Sequence, residues 1–103
     1  MAFDVLELSI TFVTQVAPLV ARLERHDCDL ADQLRRAANG IGLQVSEAVD
    51  RKARDSANRF RIARASAVEA TTALRLGVAW GHLADADCAG AYETLDRLRA
   101  MLW

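Results

Sequence analysis

Apolar residues recur at helical spacing in four segments of the chain, and short polar stretches separate these segments. Residues three or four apart share one face of an α-helix, so each segment is predicted to be an amphipathic helix. The predicted helices run from about Asp4 to Arg25, from a cap at Asp27 or Asp29 to Asp50, from a cap at Asp55 or Ser56 to Trp80, and from Asp85 or Asp87 onward. Because the connections are short, the sequence predicts an all-α fold: an antiparallel, up-down-up-down four-helix bundle in a single domain, residues 1–103.

The predicted helices carry more apolar surface than one small core needs. The first helix has two adjacent apolar stripes, one of Phe3, Leu6, Ile10, Val13, Ala17 and Val20, and one of Leu8, Phe12, Leu19 and Leu23. We assign the first stripe to the core and treat the second as surplus. Leu43 and a line along the third helix add to this surplus, and exposed apolar patches of that extent mark interfaces. The pattern therefore predicts self-association through Leu8, Phe12, Leu43, Ile62, Leu76 and Trp80.

Two glycines, Gly40 and Gly42, fall inside the second predicted helix. Each costs about 1 kcal/mol relative to alanine at such a position. A pair of them on either side of Ile41 therefore indicates either a kink or a very close approach of another helix.

Charge changes the picture only locally, because the formal net charge is −1 and the whole chain does not attract polyanions. Basic residues are nevertheless concentrated between the second and third helices. Six of them form a candidate nucleic-acid-binding stripe: Arg51, Lys52, Arg54, Arg61, Arg64 and Arg75. Arginine forks suit phosphates. The alternative is a solvated helix face, which the net charge and the absence of aromatics between these residues favour.

The remaining polar candidates favour structural roles. Glu47 and Glu69 lie among apolar neighbours, and we predict that they form an ion-pair network with Arg36 and Arg59 rather than an acid–base or metal site. His26, Cys28, His82 and Cys88 are expected at one end of the bundle, but their spacing matches no common zinc pattern. With no serine, histidine and acid combination and no glycine-rich phosphate loop, we predict no metal, no cofactor and no enzymatic activity.

The compartment follows from the cysteines and from the first helix. Two cysteines do not make a disulfide framework and fit a reducing environment. The apolar stretch 5–23 is interrupted by Glu7, Gln15, Pro18 and Arg22, which indicates a buried helix of a soluble protein. We expect a cytoplasmic protein with no membrane partner.

Several motifs resemble the bacterial four-helix-bundle family of the 23S rRNA intervening-sequence proteins. The matching positions are Gln33 to Ala37, Ile41, Glu47, Arg59, Phe60, Ile62, Ala63, Ser66 and Glu69. The chain departs from the family pattern with Gly42 in place of proline and Gln44 in place of asparagine, among others. The resemblance implies assembly into five-fold rings. A relative, the accessory protein of diversity-generating retroelements, binds a reverse transcriptase and nucleic acid.

Two functions are therefore expected. The first is a non-catalytic homo-oligomeric scaffold or adaptor, with the five-fold ring implied by the resemblance. The second is an RNA- or DNA-binding accessory protein that uses the basic stripe on helices two and three, alone or with a nucleic-acid enzyme as partner.

Overall fold

The computed structural model describes residues 2–50 and 53–103, with side chains from 4–50 and 54–103. Four α-helices follow one another: α1, Ala2–Glu24; α2, Cys28–Ala48; α3, Ala53–Ala79; and α4, Ala89–Leu102. The described ranges contain no strand, and the predicted all-α fold is confirmed. The predicted start of the last helix was too early, since Asp85–Cys88 is a 3₁₀ turn and the α-helix begins after it. A 3₁₀ turn of this kind is common at a helix terminus.

The starts of α2 and α3 involve different side-chain hydrogen bonds. Asp27 caps α2 as predicted, because its carboxylate accepts a hydrogen bond from the Leu30 backbone N–H at 3.0 Å. The third helix begins at Ala53, before the predicted caps Asp55 and Ser56. The Ser56 hydroxyl donates to the Ala48 carbonyl at 2.6 Å and so joins the start of α3 to the end of α2.

Contacts between the helices run antiparallel. Ser56 meets Ala48 near one end of the α2–α3 pair, and Ser66 lies opposite Gly40 further along it. Helix α2 packs against both α1 and α3, and α4 packs against the same two helices, so α1 and α3 lie diagonally across the bundle. This is the arrangement predicted for four helices with short connections.

The core is built from one face of each helix, but on α1 it is not the face that we predicted. Leu8 and Phe12 are buried, and Phe12 has no exposed surface at all. Ile10, in contrast, is 52% exposed. The second stripe of α1 is thus buried, and Leu8 and Phe12 are core residues rather than candidates for an oligomer interface. Of the first stripe, Ile10, Val13 and Ala17 are exposed, whereas Val20 is buried and Leu6 packs against the core. Both stripes are apolar, and hydrophobic periodicity alone does not decide which of two adjacent apolar stripes faces the core. The buried Ser9 lies on the core side.

Ser9 can be buried because its hydroxyl group forms a hydrogen bond within its own helix. Its hydroxyl donates to the Leu6 carbonyl at 2.7 Å, and the facing position on α2 is Gly42, where an added Cβ would lie 3.4 Å from the Ser9 oxygen. An added Cβ at Gly40 would lie 2.8 Å from the Ser66 oxygen of α3. The two glycines therefore allow the close approach predicted as one alternative, Gly42 toward α1 and Gly40 toward α3. We call these four small residues the glycine waist.

Helix α3 ends at a Schellman motif. Gly81 has φ +80°, its N–H donates to the Val78 carbonyl at 2.9 Å, and the His82 N–H donates to the Gly77 carbonyl at 2.9 Å. The turn brings the buried Leu83 back against Gly77, where an added Cβ would lie 2.8 Å from the Leu83 Cδ1 atom.

Residues Asp4–Glu24 form a helix that is long and apolar enough to cross a membrane by length and composition alone. The same helix contributes Phe12, Val16 and Leu23 to the bundle core, where each is almost completely buried. A core helix of a soluble protein passes the same test of length and composition. The dimensions of the described residues, 43 × 22 × 18 Å, are those of a small elongated bundle.

Candidate functional site

The structure divides the predicted basic stripe into separate parts. Arg54, Arg61 and Arg64 line one open depression of about 530 Å³ along the first half of α3, together with Asp55, Ala57 and Asn58. We call these six residues the arginine groove. Arg51 and Lys52 lie outside the described residues, and Arg75 lines a different cleft.

The arginines of the groove are not neutralised by acids. Arg61 donates to the Asn58 side-chain oxygen at 2.6 Å, and Arg64 donates to the Leu102 backbone carbonyl at 2.8 Å. Within the described parts of the chain, no carboxylate forms an ion pair with Arg54, Arg61 or Arg64. Three guanidinium groups against the single carboxylate of Asp55 leave the groove positively charged.

An aromatic ring lies at the end of this groove, which the sequence alone did not reveal. The guanidinium carbon of Arg64 is 5.8 Å from the Trp103 ring centre, and that of Arg99 is 5.6 Å from it. These distances are typical of cation–π contacts. Trp103 nevertheless remains 59% exposed. The fold thus supplies the aromatic neighbour whose absence weakened the nucleic-acid hypothesis, and it comes from 38 or more residues away along the chain.

The cleft around Arg75 has a different character. It lies between α3 and α4 and is lined by Arg75 and Arg99 on one hand and by Asp85 and Asp96 on the other, with Tyr92 at its side. Two basic and two acidic groups leave it without net charge. We therefore remove Arg75 from the basic surface.

Cys88 lies beside this cleft as a buried thiol. Burial raises the pKa of Cys88, the negative charges of Asp85 and Asp87 raise it further, and a hydrogen bond from the Tyr92 hydroxyl only partly opposes this. Burial likewise raises the pKa of Tyr92. A thiol with a raised pKa is protonated at neutral pH and is a poor nucleophile. Cys88 thus has the properties of a core residue.

The predicted ion-pair network reduces to one pair. Arg59 approaches Glu47 with 3.4 Å between Nη2 and Oε2, and it also donates to the Gln44 side-chain oxygen at 3.2 Å. Arg36 instead pairs with Asp32 at 2.5 Å, one turn back on its own helix. Glu69 is exposed and forms no ion pair within the described ranges. A helix-surface arginine reaches an acid four residues away more easily than one on another helix, so the four-residue network was wrong apart from Arg59 and Glu47.

Two exposed apolar faces lie on diagonally opposite helices. On α1 the face consists of Ile10 and Val13, and on α3 it consists of Val68, Leu76 and Trp80, of which Trp80 is 69% exposed. We call these the α1 face and the α3 face. Leu43 on α2 is also exposed, whereas Ile62 is half-buried. Of the predicted interface residues, Leu43, Leu76 and Trp80 are thus available to a partner.

One end of the bundle carries a stack of three rings. The His26 and His82 rings are parallel with their centres 4.9 Å apart, and the Trp80 ring stacks on His82 at 6.4 Å. Stacked imidazoles face each other and do not direct their nitrogens at a common point. Within the described residues, no group of three or more histidine, cysteine or acidic side chains is placed to hold a metal ion. Trp80 thus lies at the exposed side of this ring stack.

These observations define a helical-bundle protein whose distinctive features are outer surfaces rather than a cleft with assembled catalytic groups. A model of the family described as 23S rRNA-intervening sequence protein matches residues 1–103, so the chain belongs to that family. In structure it is similar to a protein of unknown function from the S23 ribosomal protein family of Bacteroides thetaiotaomicron, with a TM-score of 0.88 and 20% identity over 95% of this chain and 94% of that one. At this identity the likeness shows the fold alone. No curated protein matches the chain significantly.

Proposed function

We propose that this protein is a non-catalytic scaffold or adaptor that works as a homo-oligomer. The observation that carries the proposal is the pair of exposed apolar faces on α1 and α3. Large apolar side chains gathered on a surface mark interaction sites, because water is a poor solvent for them. Trp80 in particular presents a large exposed ring to a partner and lies beside the His82 ring.

The positions of the two faces favour a ring. Since α1 and α3 lie diagonally across the bundle, the two faces point in different directions. When two different surfaces of identical subunits join head to tail, the contact repeats and closes into a ring if the rotation allows. We propose the five-fold ring that the sequence resemblance implies. A reducing, cytoplasmic setting is consistent with the two unpaired cysteines.

The assembly is tested by placing charge on each face. Leu76→Glu and Trp80→Glu on the α3 face, and Ile10→Glu on the α1 face, are each expected to give helical monomers, because a carboxylate buried in an apolar contact is strongly unfavourable. Light scattering or native mass spectrometry gives the mass, and circular dichroism reports whether the helices persist.

Met101→Glu is the matched control, because Met101 is an exposed apolar residue outside both faces. It is expected to leave the oligomer intact. If the α3-face variants keep the wild-type mass, that face is not the interface. A wild-type protein that is monomeric at micromolar concentration would overturn the proposal as a whole.

A further inference from the structure

The arginine groove and Trp103 form one continuous surface. Arg64 belongs to both, since its guanidinium lines the groove, donates to the Leu102 carbonyl and lies over the Trp103 ring. The hydrogen bond fixes the orientation of Arg64 without using its other N–H donors. Arg54 and Arg64 are about 15 Å apart along the axis of α3, given 1.5 Å per helical residue. Trp103 lies beside Arg64, at one end of this row of cations.

The exposure of Trp103 calls for a ligand with a flat apolar face. Arg64 and Arg99 both lie against the indole, yet more than half of its surface is open to solvent. An exposed tryptophan among cations can stack against another aromatic ring, and the neighbouring guanidinium groups extend the stacking surface. A ligand that used this surface fully would present phosphates or other anions to the groove and a planar ring to Trp103.

Single-stranded nucleic acid has both features in the required order. Its phosphates follow one another along the backbone, and its bases are free to stack on aromatic side chains. In a duplex the base faces are already stacked on each other, and an acidic peptide has anions but no planar ring at each residue. We propose that the arginine groove binds the backbone of single-stranded RNA or DNA and that Trp103, flanked by Arg64 and Arg99, stacks one of its bases.

This site differs from the basic stripe expected from the sequence. It includes Trp103 and Arg99 because the Arg99 guanidinium lies over the Trp103 ring, although Arg99 and Asp96 also line the cleft around Arg75 and Asp96 lies beside Trp103 as well. It leaves out Arg75, which lies in that cleft and lines neither the groove nor the depression at Trp103. It uses neither the α1 face nor the α3 face. Binding is therefore independent of assembly at the level of one subunit, although a ring would repeat the groove and raise the affinity for a long strand.

Fluorescence anisotropy with labelled oligothymidylate and oligouridylate of about 12 nucleotides tests the proposal, a length within the range that one small single-strand-binding domain covers. Trp103→Ala is expected to weaken binding by about five-fold or more, the effect typical for loss of one stacked base. Met101→Ala removes a neighbouring exposed side chain and is expected to leave the affinity unchanged. Equal affinities for Trp103→Ala and wild type would overturn the stacking site.

Probe chemistry separates the two halves of the site. A strand of the same length made of abasic sugar-phosphate units keeps the phosphates and loses the stack, so we expect it to bind the wild type more weakly than oligothymidylate and to bind wild type and Trp103→Ala equally. Arg61→Gln is expected to weaken every strand and to lower the salt dependence of binding by about 0.7 in slope, the value for one phosphate contact. Arg61 is exposed, so this change is compatible with folding.

Three results would overturn the proposal. One is no binding of any strand at low salt, the second is a duplex bound more tightly than a single strand, and the third is an oligoglutamate of equal length bound as tightly as oligothymidylate, which would indicate an acidic protein partner. The mass of the assembled Trp103→Ala oligomer is expected to show the same number of subunits as the wild type. If it binds poorly at the wild-type mass, the defect belongs to the groove and not to assembly.

Discussion

Replacing Phe12 by alanine tests most directly which face of α1 is buried in the core. Phe12 has no exposed surface, so the substitution removes a fully buried ring and leaves a cavity among the core leucines. Such changes cost about 3–5 kcal/mol in the free energy of unfolding. Domains of this size are stable by about 5–15 kcal/mol, so the variant is expected to lose a large share of its stability.

Ile10→Ala on the same helix is the matched comparison. Ile10 is 52% exposed, so about half of its transfer free energy is at stake and no enclosed cavity forms. With about 1.5–3 kcal/mol for burying a whole side chain of this kind, the expected loss within one subunit is about 1 kcal/mol. Alanine is a better helix former than isoleucine or phenylalanine, so both substitutions gain a few tenths of a kcal/mol of helix propensity, and this gain is about the same for the two variants.

Urea denaturation followed by circular dichroism measures both variants. Phe12→Ala is expected to lower the midpoint by roughly 1–5 M, given slopes of about 1–3 kcal/mol/M for small proteins in urea. The loss for Phe12→Ala is expected to be the same at every protein concentration, whereas that for Ile10→Ala is expected to grow with concentration if the α1 face is covered in the oligomer. An Ile10→Ala loss larger than that of Phe12→Ala at low concentration would show that the original stripe assignment was right.

Three further predictions concern tight packing, titration and thiol reactivity. Gly77→Ala is expected to destabilise the fold by about 1–3 kcal/mol in chemical denaturation, because the added Cβ meets the buried Leu83, whereas Gly90→Ala, with only an ordinary contact, is expected to stabilise it by about 0.4–1 kcal/mol. The pKa of Cys88 is raised above its unfolded value of 9.0. The contribution of this thiol to stability is therefore present below pH 9 and is lost as the pH rises through the folded pKa. A Cys88→Ser variant is expected to lack this loss of stability at high pH. With a colorimetric thiol reagent at neutral pH, Cys28 is expected to react in the native protein and Cys88 only after unfolding; rapid modification of both would contradict the buried position of Cys88.

The fold was predictable wherever polar residues clearly mark the solvent side of a helix. On α2 the apolar residues at helical spacing, Leu30, Leu34, Ile41 and Val45, are all buried, and arginines and acids lie on its other faces. On α1 both stripes are apolar, so periodicity does not decide between them, and the buried Ser9 lies on the side that faces the core. Its hydrogen bond to the preceding turn and the glycine opposite make it suitable, and neither can be read from hydrophobic periodicity.

The candidate site was only partly predictable, for a related reason. Charge density along the sequence identified Arg54, Arg61 and Arg64, which do share one groove. The contact of Arg64 with Trp103 joins residues far apart in the chain and depends on how α3 and α4 meet. The ion pairs were misjudged because sequence proximity to apolar residues does not show which acid a long arginine side chain reaches, as Arg36 and Asp32 illustrate.

The glycine waist bears on the geometry of any assembly. Helix α2 stands between α1 and α3, and at Gly40 and Gly42 it approaches them as closely as small residues permit. The spacing of α1 and α3 from α2 at these two glycines therefore contributes to the angle between the α1 face and the α3 face. In a head-to-tail ring this angle determines how many subunits complete the circle. A methyl group added at Gly40 would require the Ser66 side chain or its helix to move, whereas one added at Gly42 would make only an ordinary contact with Ser9. In the proposed ring, a shift of α3 caused in this way would change the number of copies that close the circle rather than the contacts between them.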